Sequence, residues 1–202
     1  MIQLVELEKK YLLPLVHVHT KSFPDFFLTF LGDRFLKEFY AYGIGKSEVP
    51  SFVAIDNKYC VVGGIIGPLH PEGYFSKLLA DRWWAFILAS FSAIIRKPVI
   101  LPRLMRAFFY RGKSAVPVPK NYALLSSIAV DPNVQAQGVG RMLVQRWMAA
   151  VKDSGSSGCY LTTDAMGNDG VNVFYQKMGW SMTGSFSTPE GRLMNLYTYD
   201  FR

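Results

Sequence analysis

The sequence predicts a mixed α/β sheet of six or seven strands with helices on both faces. A helical insertion, about residues 70–118, is expected between strands three and four. Three observations carry this expectation. Strand-like and helix-like runs alternate along most of the 202 residues, the pattern of a layered α/β domain. A β-type run at Tyr122–Val130 leads through a Pro-containing turn and a glycine-spaced loop directly into a helical pattern. After Gly67-Pro68 the texture changes to Trp-, Phe-, Leu- and Arg-rich segments, and regular α/β signals return only after Pro119.

Taken in order, Ile2–Leu7 alternates apolar and polar residues and reads as a strand. Glu8–Tyr42 reads as helical in two pieces, punctuated at Pro14 and Ser22-Phe23-Pro24-Asp25 and stopped at Gly43-Ile44-Gly45. Ser51–Ile55 and Tyr59–Ile66 flank Asp56-Asn57-Lys58, a hairpin turn. Tyr74–Ile95 and Leu101–Arg111 read as helices, interrupted at Pro98 and Pro102, and Val116-Pro117-Val118-Pro119 as a stiff extended connector. Tyr122–Val130 is a buried-type strand, Val139–Lys152 a helix, Cys159–Thr163 a strand and Val171–Lys177 a short helix. Ser181–Ser187 and Leu193–Phe201 close the chain as a strand pair across Pro189-Glu190-Gly191. The whole, residues 1–202, reads as a single domain carrying its insertion.

Half of the residues are apolar, so a sizeable core can be buried and disorder is not expected. Cys60 and Cys159 stand far apart and outside any C-x-x-C spacing, which points away from a disulfide framework and toward a reducing, cytoplasmic setting. Met1–Glu6 has no basic stretch followed by an apolar run, so no signal peptide is expected. The uncharged run Trp83–Ile95 is shorter than the ~20 residues a bilayer span needs. The histidines are too few and too scattered for a metal site, and none is expected.

The net charge of +7 belongs to one segment. From Arg82 to Val130 every charged residue is basic: Arg82, Arg96, Lys97, Arg103, Arg106, Arg111, Lys113 and Lys120. Such a block suits phosphates of a ligand, an anionic membrane surface, or simply the solvated face of a helical insertion. No nucleic-acid-binding motif accompanies it. The Trp83–Ile95 run suits packing as an ordinary core or homodimer helix as well as it suits a surface that caps the acceptor site or rests on an anionic membrane.

The most specific stretch is Ser127-Ile128-Ala129-Val130-Asp131-Pro132-Asn133-Val134-Gln135-Ala136-Gln137-Gly138-Val139-Gly140-Arg141. Gly138 and Gly140 let a ligand come close to the backbone. The unpaired N–H groups of the helix start then point at an anion, which the helix dipole favours. The Lys-Ser/Thr of a Walker loop is missing and the spacing is not G-x-G-x-x-G. Gln135-x-x-Gly138-x-Gly140 instead resembles the Q/R-x-x-G-x-G/A loop of the GNAT superfamily of acyl-CoA-dependent N-acyltransferases. Asn168, followed by Tyr175 and then Gly179-Trp180, resembles that family's N-x₆-Y-x₃-G-[FW] segment, and it falls after the next strand, as in the family.

The resemblance implies the roles. The family's fourth and fifth strands splay apart and the pantetheine arm lies between them. Ile128 and Val130, with Ala129 between them, would then supply backbone groups to acetyl-CoA, as an added strand does. Gln135, Ala136, Gln137, Gly138, Val139, Gly140 and Arg141 would hold the pyrophosphate, Asn168 the pantetheine arm or the helix start beside it, and Tyr175 would sit near the thioester sulfur. The Val130 N–H would stabilise the oxyanion. A phenol of pKa about 10 is a reasonable proton donor to a thiolate whose acid has pKa about 8.5.

One departure concerns the base. Many family members carry a carboxylate on the fourth strand, and Asn121–Val130 has none. Ser126 and Ser127 are hydroxyls that are not plausible bases alone. His17, His19, Asp25, His70, Glu72 and a water chain remain candidates, with His17 and His19 two apart and so on different helix faces. The expected activity is acetyl transfer from acetyl-CoA to a primary amine of a small acceptor. The basic insertion disfavours a polycation and suits a phosphate-bearing acceptor, such as a nucleotide-linked amino sugar of surface-glycan synthesis. A non-catalytic acyl-CoA-binding or membrane-docking module and a protein N-acetyltransferase are the alternatives.

Overall fold

The computed structural model describes residues 1–24, 29, 31–96, 116–189 and 191–201. Side-chain surroundings within the first long insertion helix are described up to Phe86, apart from Leu79. Its elements are β1 (Gln3–Glu6), α1 (Leu12–Ser22), α2 (Asp33–Ala41), β2 (Ser51–Ile55), β3 (Val61–Ile66), α3 (Tyr74–Arg96), β4 (Tyr122–Leu124) and β5 (Ser127–Val130). Then follow α4 (Val139–Asp153), β6 (Gly158–Asp164), α5 (Asp169–Lys177), β7 (Ser181–Ser187) and β8 (Leu193–Asp200).

The strands form two four-stranded sheets, β1-β2-β3-β5 and β4-β6-β8-β7. The first is antiparallel throughout. In the second, β4 runs parallel to β6 and the other pairs are antiparallel. The expected hairpin is present: Asp56 Oδ1 accepts from the N–H groups of Lys58 and Cys60, and Tyr59 takes φ 61 to close the turn.

The expected continuous strand Tyr122–Val130 is divided. Its first part pairs with β6, its second with β3. The change of partner takes place between adjacent residues: Leu125 N–H donates to Tyr160 C=O at 2.9 Å, and Ser126 N–H donates to Ile66 C=O at 3.0 Å. One run of chain therefore belongs to both sheets. A Cβ at Gly67 would collide with the Leu124 carbonyl, so a glycine is needed where β3 leaves its sheet beside this crossover.

Helices cover both faces of the first sheet, which is why every residue of β2 and β3 is buried. On one side α1 and α2 bury Leu15, Val16, Leu36 and Phe39. On the other, α4 buries Leu143, Val144 and Trp147, each 0% exposed, and reaches toward the second sheet through Cys159 and Leu161. Burying each such side chain contributes about 1.5–3 kcal/mol.

The insertion begins between β3 and β4. Its first helix, α3, bends at Arg82, whose φ and ψ of −128° and 15° are not helical. Arg82 pairs with Glu38 of α2 at 3.1 Å, and Tyr42 donates to Asp81 at 2.8 Å. Trp83 and Trp84 stack at 3.6 Å between ring centroids and are 44% and 64% exposed. The expected second helix, Leu101–Arg111, with Arg103 and Arg106, lies outside the described residues. Among the described residues no helix is long and apolar enough to cross a membrane.

Candidate active site

Where β5 and β6 part, a cavity of about 720 Å³ opens between the two sheets. Its size suits a cofactor-sized ligand. Three local features converge on it.

The first is a strand edge. The pairing of β5 with β3 couples Ala129 to Gly64 and Ser127 to Ile66, and Asp131 N–H donates to Val62 C=O. Antiparallel pairing alternates, so Ile128 and Val130 turn their backbone groups away from β3. The Val130 carbonyl is taken by Ser22 Oγ at 2.8 Å and Gln135 Nε2 at 3.3 Å. Ile128 and Val130 line the cavity, whereas Ala129, 1% exposed, faces the core and lies outside its lining.

The second is a helix start. Asp131 accepts from Asn133 N–H and shapes a 3₁₀ turn at Pro132–Val134. Lys21 pairs with Asp131 at 2.8 Å and, through that hydrogen bond first, holds its carboxyl below the usual range. Ala136 and Gly138 then take positive φ, 62° and 84°, and α4 begins. The first intrahelical bond shown runs from Met142 N–H to Gly138 C=O, which leaves the N–H groups of Val139, Gly140 and Arg141 ahead of it. Gly138, the N-cap, has no side chain to satisfy them, and the first turn carries no acid. Gln135, Ala136, Gly138, Val139, Gly140 and Arg141 line the cavity; Gln137, exposed, does not. Free N–H groups at the positive end of a helix dipole can hold an anion.

The third is α5. Asn168 precedes it, and its amide is turned inward, donating to Thr163 Oγ1 at 2.7 Å and Asp164 C=O at 3.3 Å. Asn172, one turn on, donates to the carbonyls of Asp164 and Asn168 and accepts from Asn195 and Tyr197, each at about 3.0 Å. These bonds pin α5 to the ends of β6 and β8. Tyr175, on the same helix, lines the cavity with 3% exposure, its ring between Phe174, Trp180 and Tyr197. Burial pushes its phenol well above the ordinary value and so keeps it protonated. Asn172→Ala would leave the fully buried Tyr197 hydroxyl without its acceptor. It is expected to lower stability by about 2 kcal/mol, read as an earlier urea midpoint with unchanged slope.

The same two-sheet architecture recurs in solved proteins. The ribosomal-protein-S18-alanine N-acetyltransferase from Escherichia coli is similar, with TM-score 0.59 and 15% identity, covering 99% of this chain and 94% of that one. An N-acetyltransferase from Staphylococcus aureus Mu50 has TM-score 0.64 and 13% identity, covering 100% and 99%. A provisionally named streptothricin acetyltransferase from Bacillus anthracis str. Ames, solved in complex with acetyl coenzyme A, has TM-score 0.53 and 16% identity, covering 81% and 69%. No curated protein sequence matches the chain. A family model for the acetyltransferase (GNAT) domain matches residues 107–182, the span that holds β4, β5, α4, β6 and α5. Residues 107–182 are thus similar to an acetyltransferase (GNAT) domain.

The remaining candidates for a general base separate clearly. His19 is 2% exposed and lines the cavity, and burial lowers its pKa to about 4. His17, His70 and Glu72 are exposed and outside the lining. Asp25 lies outside the described residues. Among the described residues, no group of histidines, cysteines and acids could hold a metal ion. Cys159 is fully buried and its thiol is pushed up by burial, a core residue.

The cavity is also lined or backed by residues that no sequence spacing marks. Ser22 reaches Val130 across 108 residues, and Tyr40 reaches Ser127 across 87. Arg192 makes a bidentate pair with Asp164 at 3.0 and 2.5 Å, both residues in the lining. A long-range contact of this kind leaves no periodicity or motif to read.

Proposed function

We propose that the chain transfers the acetyl group of acetyl-CoA directly to a primary amine of a small acceptor. The observation that carries this reading is the meeting, in one cavity, of a free helix start, a strand edge and a buried phenol. Val139, Gly140 and Arg141, with Gln135 and the turn Ala136–Gly138, would hold the pyrophosphate. Ile128 and Val130 would pair with the pantetheine arm as a neighbouring strand would, and Asn168 would fix the start of α5 beside it. Acetyl-CoA supplies an activated thioester. As the amine attacks, the Val130 N–H would stabilise the oxyanion and Tyr175 would protonate the departing thiolate. No step uses a metal ion.

The acceptor that suits the basic segment Arg82–Lys120 is one bearing phosphate, such as a nucleotide-linked amino sugar. The test is release of free CoA from acetyl-CoA in the presence of a panel of amines, phosphorylated and not. Release with nucleotide-linked amino sugars at the highest kcat/KM is the expected result. Equal rates with unphosphorylated amino sugars would remove the phosphate from the reading.

The same basic, tryptophan-bearing insertion is read as a surface for anionic headgroups. Co-flotation with anionic vesicles at low salt, lost at high salt, is the expected outcome, because each lysine or arginine near the leaflet contributes about 1 kcal/mol and is screened. Flotation that does not change with salt or lipid charge would contradict it.

A further inference from the structure

Two hydroxyls and an imidazole form a connected line into the cavity at the point where the sheets part. His19 Nδ1 lies 2.8 Å from the Tyr40 hydroxyl, and that hydroxyl lies 3.1 Å from Ser127 Oγ. His19 and Ser127 both line the cavity. Tyr40 is 0% exposed, so its hydroxyl exchanges protons with these two neighbours rather than with bulk water. Three elements supply the line, α1, α2 and β5, and Ser127 is the first residue of β5 after the change of sheet.

We propose that Ser127, Tyr40 and His19 are a proton relay that receives the proton of the acceptor amine. This rests on the acetyl-transfer reading. Ser127 is the member that meets the amine; Tyr40 and His19 act through it. A serine alone is a poor base, but here its own proton has somewhere to go. A bare Nδ1 accepts from Tyr40, Tyr40 then accepts from Ser127, and Ser127 keeps a lone pair for the cavity. The carboxylate that β5 lacks is thereby replaced in function by an imidazole at the far end of the line.

The step balances. The nitrogen lone pair forms the C–N bond, and the C–S pair leaves with sulfur, which takes the proton of Tyr175. The nitrogen gives its proton to Ser127 Oγ as the serine proton moves to Tyr40 and the tyrosine proton moves to His19 Nδ1. The imidazolium then returns one proton through solvent to the Tyr175 phenolate, which restores both groups. Burial keeps His19 neutral before the reaction, so it is ready to accept. The oxyanion formed in the same cavity raises its proton affinity when it is needed.

Two measurements test the relay. In ¹⁵N-resolved NMR of the full chain, His19 Nδ1 is expected to give the shift of an unprotonated nitrogen and Nε2 that of an N–H. A protonated Nδ1 would reverse the polarity of the line and overturn the relay. In CoA release from acetyl-CoA with the fastest amine of the panel, Tyr40→Phe is expected to lose about 10²-fold in kcat with an unchanged KM for acetyl-CoA. The rate in mixed light and heavy water should depend on deuterium content along a bowed curve in the parent, where the relay protons move with that of Tyr175, and along a less bowed one in Tyr40→Phe. Ser127→Ala, at a partly exposed site, gives the same comparison should Tyr40→Phe fold poorly. A parent that releases no CoA with any amine overturns acetyl transfer and the relay with it. An active parent matched in kcat by Tyr40→Phe and Ser127→Ala overturns the relay alone.

Discussion

Replacing Tyr175 by phenylalanine is expected to lower kcat about 10²-fold, or roughly 2.7 kcal/mol of barrier, while acetyl-CoA binds as before. The ring is what packs against Phe174, Trp180 and Tyr197, and phenylalanine keeps it. Only the hydroxyl is lost. A donor used as the thiolate departs contributes to the transition state and little to the bound ground state, so the loss falls on kcat and leaves affinity unchanged. Burial raises the phenol pKa, so the hydroxyl carries its proton throughout the neutral range. Steady-state CoA release with the best amine, together with calorimetric titration of acetyl-CoA, measures both halves. An unchanged kcat would reduce Tyr175 to a packing residue.

The second large effect is expected at the helix start. Gly140→Asp should weaken acetyl-CoA binding about 10²-fold, because one carboxylate near a pyrophosphate at an effective dielectric between protein and water costs on the order of 1–4 kcal/mol. The fold itself tolerates a side chain there. A Cβ on Gly140 would meet Phe174 Cζ at 3.7 Å and Val130 Cγ2 at 3.8 Å, ordinary contacts. Gly140→Ala is thus the control for bulk, and Gly140→Asp adds the charge. Gly138→Asp should weaken binding too, with added backbone strain because Gly138 sits at φ 84°. Calorimetry giving the parent affinity for both aspartates would remove the anion site from α4.

Much of this architecture can be read from local pattern. The hairpin at Asp56-Asn57-Lys58, the start of α4 after Gly138 and the strand pair at the C-terminal end are each set by residues within a few positions of one another. The Gln135–Gly140 and Asn168–Tyr175 spacings locate one wall of the cavity for the same reason. The division of Tyr122–Val130 could not be read, because both halves are apolar and buried and differ only in the partner strand. Alternation within Ile128–Ala129–Val130 says that neighbours face opposite ways, but not which way faces β3. His19 and Tyr40 stand 21 residues apart on separate helices, and Ser127 a further 87 away. Only the packed fold brings them into line. The α3 bend at Arg82 has no proline or glycine to announce it.

Because one run of chain serves two sheets, β5 and the outer half of β6 line one cavity without pairing with each other. Under the proposed function, an acyl donor lying extended along β5 would behave as an exchangeable strand, a piece of secondary structure supplied from the metabolite pool. Donor concentration would then become a variable of folding as well as of turnover. The melting temperature should climb with the logarithm of donor concentration above its dissociation constant. A protein starved of donor would leave the gap between these strands open to other extended chains, the usual starting point of sheet-to-sheet aggregation.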